Sequence, residues 1–116
     1  MFTVFGYLNK RDDVSTQDFI DHYENRHVPL ILSLAPAPPT YKRHYLKHAD
    51  ELNFQPASLD FDAITELGFP DRTAFLAWIT AVTTGDAGER VAKDEARFLD
   101  RSRTRSCVIE DRVTSG

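Results

Sequence analysis

Hydrophobic and polar positions alternate along four short stretches of the chain, the pattern of strands that bury one face more than the other. The four predicted strands are residues 3–10, 41–48, 61–69 and 107–113. Between them, apolar residues recur at the three- and four-residue spacing of helices that bury one side. The helical stretches begin at Ser15, at Asp71 or Thr73, and at Glu89. The predicted order of elements is therefore βαββαβ.

The first helix begins with a capping sequence. Ser15 precedes Asp18 by three residues, which resembles a capping box with a shorter acid than usual. Phe19, Tyr23 and His27 then follow at four-residue spacing, so they share one inward-leaning stripe of the helix.

Pro29 predicts where this helix ends. Proline disfavours helical geometry at the residue before it, here Val28, so we expect the helix to close or kink there. Residues 30–34 would add a short further turn, and the proline-rich residues 35–40 a rigid connector. The polar stretch 49–59 is predicted to be a loop long enough to carry part of a binding site.

Two strand–helix–strand halves predict a ferredoxin-like α+β fold, with an antiparallel four-stranded sheet and helices on one face. The other face then needs cover. In a dimer two such faces pack together and enclose a mixed cavity, which is how dimeric α/β barrels arise. The pattern thus predicts a homodimer with two-fold symmetry.

Composition narrows the class of protein. The 116 residues fit one domain, 1–116, with 41% hydrophobic and 28% charged residues. No apolar run approaches the ~18 residues of a membrane span, and no secretory leader is visible, so we expect a soluble cytoplasmic protein without membrane association. The net charge of −4 argues against a nucleic-acid partner.

Two smaller features have open interpretations. Cys107 is the only cysteine, which excludes an internal disulfide, and its strand pattern favours a buried structural thiol. Arg101, Arg103 and Arg105 form a basic cluster among acidic residues. We interpret this cluster as solvated surface, with docking of an anion as the alternative.

The sequence resembles the EthD family of small ferredoxin-like proteins in four places. These are the basic strand end Lys10-Arg11, the stretch 19–30 with His27 and Pro29, the strand 61–67, and the acidic stretch 94–100. The resemblance implies a dimeric α/β barrel and, for several relatives, cofactor-free decarboxylation, dehydration or cyclisation of aromatic or polyketide-like substrates. Other relatives are auxiliary proteins. The connector and the loop before Asp60 are less typical, which affects the predicted cavity rim.

His27 is the first candidate for chemistry, because it matches the family's histidine position. An imidazole titrates near neutral pH and acts as a general acid or base when held beside a cavity. The alternative is a histidine that caps its helix by bonding a carbonyl.

Asp62 and Glu66 share one face of the third strand and are further catalytic candidates. Either acid would orient an imidazole or a substrate hydroxyl. The alternative is that they pair with Arg43, Lys47 or Arg112 on neighbouring strands.

His44 and Tyr45 complete the catalytic candidates and must point to opposite faces of their strand. Tyr45 would bind a phenolate or carboxylate, or His44 would form an acid–base pair with His27. The predicted substrate-binding residues are Tyr7, Tyr23, Tyr41 and Arg43, although Tyr7 also fits a helix-facing core.

No cofactor or metal is predicted. The four histidines lack an H-x-x-x-H or H-x-H pattern, and His22 and His27, five residues apart, would diverge on a regular helix. There is also no glycine-rich phosphate loop and no nucleophile elbow.

The resemblance to the EthD family, together with His27, implies a cofactor-independent lyase, a decarboxylase, dehydratase or cyclase that acts on an aromatic or polyketide-like molecule. The alternatives are a non-catalytic auxiliary protein that binds a small molecule, and a cofactor-free monooxygenase of phenols.

Overall fold

The computed structural model describes residues 1–54 and 59–116. Its four strands are β1 (Phe2–Leu8), β2 (Thr40–Tyr45), β3 (Ala63–Phe69) and β4 (Arg105–Ile109). Its four α-helices are α1 (Thr16–His22), α2 (Val28–Leu34), α3 (Arg72–Thr83) and α4 (Gly85–Phe98). A π-helical segment, Tyr23–His27, joins α1 to α2, and a 3₁₀ turn, Arg101–Arg103, precedes β4.

The strands form one antiparallel sheet in the order β2-β3-β1-β4. This is the predicted ferredoxin-like α+β arrangement, which is confirmed. The predicted strands were longer than the observed ones, since β2 ends at Tyr45 and β4 spans only Arg105–Ile109. Residues 55–58 of the predicted binding loop lie outside the described residues.

The helices cover one face of the sheet, which we call the covered face. Its members include Val4, Gly6, Leu8, Tyr41, Arg43, Tyr45, Ala63, Thr65 and Leu67. Phe19 of α1 and Phe98 of α4 are each 1% exposed and pack against this face with Leu8 and Ala63. Burial of these apolar side chains holds the helices to the sheet.

The opposite, open face has no covering element among the described residues. Its members include Phe5, Tyr7, Lys42, His44, Ile64, Glu66, Arg105, Cys107 and Ile109. Cys107 is exposed here, so the prediction of a buried thiol is wrong for the single chain. The reason is that β4 is an edge strand and Cys107 lies beside Phe5 on the face without helices.

The first helix starts as predicted but does not end at Pro29. Ser15 accepts a hydrogen bond from the Asp18 backbone, which confirms the cap. Val28 is helical, with φ −57° and ψ −49°, so the expected loss of helical geometry at Val28 is wrong and the helix does not close before Pro29. The Val28 N–H reaches back five residues to the carbonyl of Tyr23, and this wider π turn accommodates the proline within a continuous helical run.

Helix α4 is longer than predicted, because it begins at Gly85 rather than at Glu89. Gly85 has a φ of 62°, a left-handed conformation that glycine adopts at little cost. It therefore turns the chain directly from α3 into α4. No helix in the described part of the chain is long and apolar enough to cross a membrane.

Phe19 tests the packing of the covered face. Replacement by alanine removes a fully buried ring, so Phe19→Ala should lower the free energy of unfolding by about 3–5 kcal/mol in urea titrations. Leu76→Ala is the control, because Leu76 is 50% exposed on α3 and its loss should cost no more than about 0.5 kcal/mol. Equal effects of the two substitutions would contradict this account of the core.

Candidate functional site

A cavity of about 300 Å³ lies between the covered face and the helices. Its apolar wall includes Leu67, Phe75, Ile79, Val82 and Val91, and its polar lining includes Tyr23, His27, Tyr41, Thr65 and Glu95. Gly6 and Thr65 are paired at the centre of the sheet. Since Gly6 has no side chain and that of Thr65 is small, space remains open beneath the helices. This cavity is formed within one chain, whereas the predicted cavity was enclosed between the open faces of two chains.

His27 lies at the end of the π-helical segment, is 6% exposed and lines the cavity. Its Nδ1 is 2.9 Å from Oδ2 of Asp94 on α4. Because a carboxylate only accepts hydrogen bonds, this contact places a proton on Nδ1 and leaves Nε2 for other partners. No hydrogen bond of Nε2 is found within the described residues, and His27 is one of the residues that line the cavity.

His22 binds the same carboxylate, with its Nε2 3.0 Å from Oδ1 of Asp94. The expectation that His22 and His27 diverge is therefore wrong. Residues five apart diverge on an α-helix, but an i→i+5 turn brings them to one side. The π-helical segment between them aligns both imidazoles on Asp94.

Glu95 follows Asp94 and also lines the cavity. Burial raises the pKa of Glu95, and so does the neighbouring Asp94, whereas Arg101 and the protonated form of His27 oppose this rise. A carboxyl group of this kind is protonated in more molecules near neutral pH than an exposed one, which suits an acid in proton transfer.

Sequence analysis did not select Asp94 or Glu95 as site residues. Both lie in the acidic stretch 94–100 that contributed to the family resemblance. Their spacing on α4 has no local signature. His27 and Asp94 are 67 positions apart in the sequence, and only the fold brings them together.

A network of polar groups borders the cavity on the side of β2. The Tyr23 hydroxyl is hydrogen-bonded to that of Thr65, and Tyr45 donates to Glu24. Burial raises the pKa of Tyr23 to about 12 and raises that of Tyr45 as well. These phenols are therefore neutral hydrogen-bonding groups at physiological pH.

Arg43 is already paired within this network. Its guanidinium donates to both carboxylate oxygens of Glu24, at 3.0 and 2.7 Å, and lies 4.9 Å from the centre of the Tyr41 ring. The hydrogen bond to Arg43 lowers the pKa of Glu24, although partial burial opposes it. Since its charge is balanced by Glu24, Arg43 is not an unpaired cation available to a substrate carboxylate.

The other predicted catalytic residues lie apart from His27. His44 contacts Glu66 at 3.0 Å on the open face, whereas Tyr45 lies on the covered face. The structure thus does not bring His44 and His27 together, because the sheet separates them. Glu66 pairs with a histidine rather than with the arginine or lysine partners considered from the sequence.

Asp62 and Tyr7 are also outside the cavity. Asp62 accepts a hydrogen bond from the Lys10 backbone at 2.9 Å and contacts His48 at 3.3 Å, at the end of the sheet. Tyr7 packs on Phe61 on the open face, with ring centres 5.2 Å apart. Of the predicted site residues, only His27, Tyr23 and Tyr41 line the cavity. Arg43 and Tyr45 do not line it, and both are hydrogen-bonded to Glu24 in the neighbouring network.

Comparison with known proteins places these features in a family. A sequence model of the EthD domain matches residues 11–102, which include the π-helical segment, Asp94 and Glu95. The chain belongs to the EthD family. No protein with a curated description matches it.

Solved structures with the same fold span nearly the whole EthD chain. An EthD family protein from Bacillus halodurans is 20% identical over 97% of this chain and 100% of its own, with a TM-score of 0.64. The Arabidopsis thaliana protein At3g17210 is 12% identical over 99% of both chains, with a TM-score of 0.67. A dimeric ferredoxin-like protein from Thermobifida fusca is 10% identical over 93% of this chain and 88% of its own, with a TM-score of 0.60. At these identities the likeness shows the fold alone.

Within residues 1–54 and 59–116, no group of three or more histidine, cysteine, aspartate or glutamate side chains is arranged to hold a metal ion. His22 and His27 are each hydrogen-bonded to Asp94.

Tyr23 makes the stability of this EthD domain depend on pH. Its pKa is 10.0 when unperturbed and about 12 in the fold, so the unfolded state releases its proton first as pH rises. The free energy of unfolding should therefore fall between about pH 10 and 12, by up to ~2.7 kcal/mol from this residue. Tyr23→Phe should show a correspondingly shallower decline in urea titrations across this range.

Tyr41 and Tyr45 are present in both proteins, but Tyr23 also raises the pKa of each, so its replacement lowers their contributions and makes the decline shallower still. Loss of the hydrogen bond to Thr65 lowers the stability of Tyr23→Phe by a similar amount at every pH below this range. If the free energy of unfolding fell with pH by the same amount in the wild type and in Tyr23→Phe, the burial of the Tyr23 hydroxyl would be contradicted.

Proposed function

We propose that this EthD-family protein is a cofactor-independent lyase that decarboxylates, dehydrates or cyclises an aromatic or polyketide-like molecule. The observation that carries the proposal is the pairing of His27 with Asp94 at the wall of an apolar cavity that also contains Glu95. A cavity of about 300 Å³ is at the lower end of the size range of small-molecule sites. Its polar groups suit proton transfer to a largely apolar ligand.

His27 is proposed as the group that moves a proton at carbon. Asp94 holds Nδ1–H, so Nε2 has its lone pair directed away from the carboxylate and acts as a general base. When Nε2 takes a proton, Asp94 stabilises the imidazolium that forms. Asp94 thereby orients His27 without contacting the substrate.

Glu95 is proposed as the second proton-transfer group. In a dehydration or cyclisation, His27 removes a proton next to a carbonyl, and Glu95 delivers a proton to the oxygen that leaves or becomes a hydroxyl. In a decarboxylation, the bond to the carboxylate breaks and carbon dioxide leaves. The electron pair stays on carbon, and the protonated His27 delivers a proton there.

The remaining lining favours a flat ligand that carries oxygen acceptors. Tyr23 and Tyr41 are proposed as substrate-binding residues, because their neutral hydroxyls border the cavity. Trp78 also lines it, and its buried indole N–H has no hydrogen-bond partner among the described residues. Because this N–H is buried from the cavity as well as from solvent, it is not among the groups proposed to bind the ligand.

The proposal is tested by turnover of a panel of phenolic carboxylic acids and β-polyketide acids, followed by mass spectrometry. The wild type should release carbon dioxide or water from at least one compound. His27→Gln should lower kcat by about 100-fold or more, in line with the usual contribution of a general acid or base. Glu95→Gln should lower it by about tenfold or more, since it keeps the shape but not the proton.

His48→Gln is the matched control, because His48 contacts Asp62 outside the cavity and its loss should leave turnover unchanged. Incubation under nitrogen separates the lyase from a monooxygenase, since only the latter requires oxygen. Binding of panel compounds without any product would instead make the protein an auxiliary binder, and the lyase proposal would be abandoned.

We also propose that the protein forms a homodimer through the open face. Phe5, Ile64 and Ile109 lie on this face and are only half-buried in the single chain. A sheet face with such residues is usually covered by a partner, and isologous two-fold contact is the commonest solution. The Thermobifida fusca structure with the same fold is described as dimeric.

Phe5→Lys tests this dimer, because it places a charge at the centre of the open face. Light scattering coupled to size exclusion should show a dimer for the wild type and at least about tenfold weaker association for the variant. Leu76→Lys, an equal change on the exposed side of α3, should leave the mass unchanged. A monomeric wild type at micromolar concentration would refute the dimer and leave the proposed chemistry untouched.

A further inference from the structure

Two imidazoles are hydrogen-bonded to Asp94, but the proposed chemistry uses only one of them. His27 contacts Oδ2 and His22 contacts Oδ1, at 2.9 and 3.0 Å. We propose that His22 is a positioning residue, which fixes Asp94 so that its other oxygen keeps the proton of His27 on Nδ1. The proposal rests on the proposed role of His27, but its test does not require a substrate.

The contacts around Asp94 leave it few alternatives. Its side chain is 14% exposed and that of His22 is 16% exposed, so neither is freely solvated. The two histidines are the only hydrogen-bonding side chains that contact this carboxylate among the described residues. An aspartate carboxylate turns easily about its last torsion, which is broad and two-fold. A bond to each oxygen stops this rotation, whereas a single bond does not.

Phe98 keeps the two imidazoles in place. The His22 ring is stacked on Phe98 with centres 4.5 Å apart and an interplanar angle of 25°. The His27 ring contacts the same phenyl group at 5.1 Å. Phe98 is itself 1% exposed and packed in the core, so it is a rigid support for both rings. His22 is therefore itself fixed, as a positioning residue must be.

The consequence for His27 is a single tautomer. The proton of a neutral imidazole is placed by the hydrogen bond that its other nitrogen makes. With Asp94 fixed, the proton stays on Nδ1 and Nε2 is free to act as base. With Asp94 free to turn, the proton distributes over both nitrogens, and a fraction of molecules presents Nε2–H to the cavity, which cannot accept a proton.

The test is the tautomer of His27, read from ¹⁵N chemical shifts of the imidazole at a pH where it is neutral. His22→Phe keeps a ring to stack on Phe98 and removes the donor, and it should convert the single Nδ1–H form of His27 to a mixture of both forms. His22→Gln should preserve the Nδ1–H form, because its longer amide still donates to Asp94. His22→Asn keeps an amide but is too short to donate, and should give the mixture.

Asp94→Asn is the reference, since it removes the carboxylate itself and should abolish the single tautomer. If His22→Phe and His22→Asn both retain the wild-type form of His27, the positioning role is refuted, whatever Asp94→Asn does. If His22→Phe fails to fold, the comparison of His22→Asn with His22→Gln decides alone. A correct tautomer result in a protein without turnover would uphold this inference while the lyase proposal failed.

Discussion

The π-helical turn before Pro29 is the constraint on which the candidate site depends. A regular α-helix would break at the proline or point His22 and His27 in different directions. The wider turn solves both problems, since it carries the chain through Pro29 and aligns the two histidines on Asp94. Such turns are uncommon and occur often at functional sites. Here the same irregularity that accommodates the proline also brings His27 to Asp94, the pair proposed to transfer a proton.

The sheet contributes the space in which that group acts. Alternation along each strand sends one set of side chains to the helices and the other to the open face. On the covered face, Gly6 and Thr65 are too small to fill the layer beneath α3 and α4, and the apolar helix residues form the opposite wall. Tyr23 and Tyr41 line one side of the cavity, and burial keeps their hydroxyls neutral. An apolar wall with few polar groups strengthens each electrostatic contact that a ligand makes inside it.

The architecture was predictable because it depends on periodicity, which each segment carries by itself. The strand 63–69 and the cap at Ser15 are local patterns, and both were recognised. A site residue was predictable only where a family motif identified it without its partners, as for His27. The partnership of His27 with Asp94 depends on the packing of α4 against the π-helical segment, and no local spacing encodes that packing. Of the two outcomes expected at Pro29, closure of the helix did not occur, because an irregular turn carries the chain through the proline.

The two faces of the sheet also separate the two proposed roles of the protein. Phe5 and Gly6 are neighbours in sequence, but one lies on the open face and the other borders the cavity. Every group proposed to move a proton comes from one chain and lies on the helical elements that pack against the covered face. A dimer formed through the open face would therefore not complete the site. It would instead stiffen the sheet from behind, and so hold the floor of the cavity in place beneath His27 and Glu95.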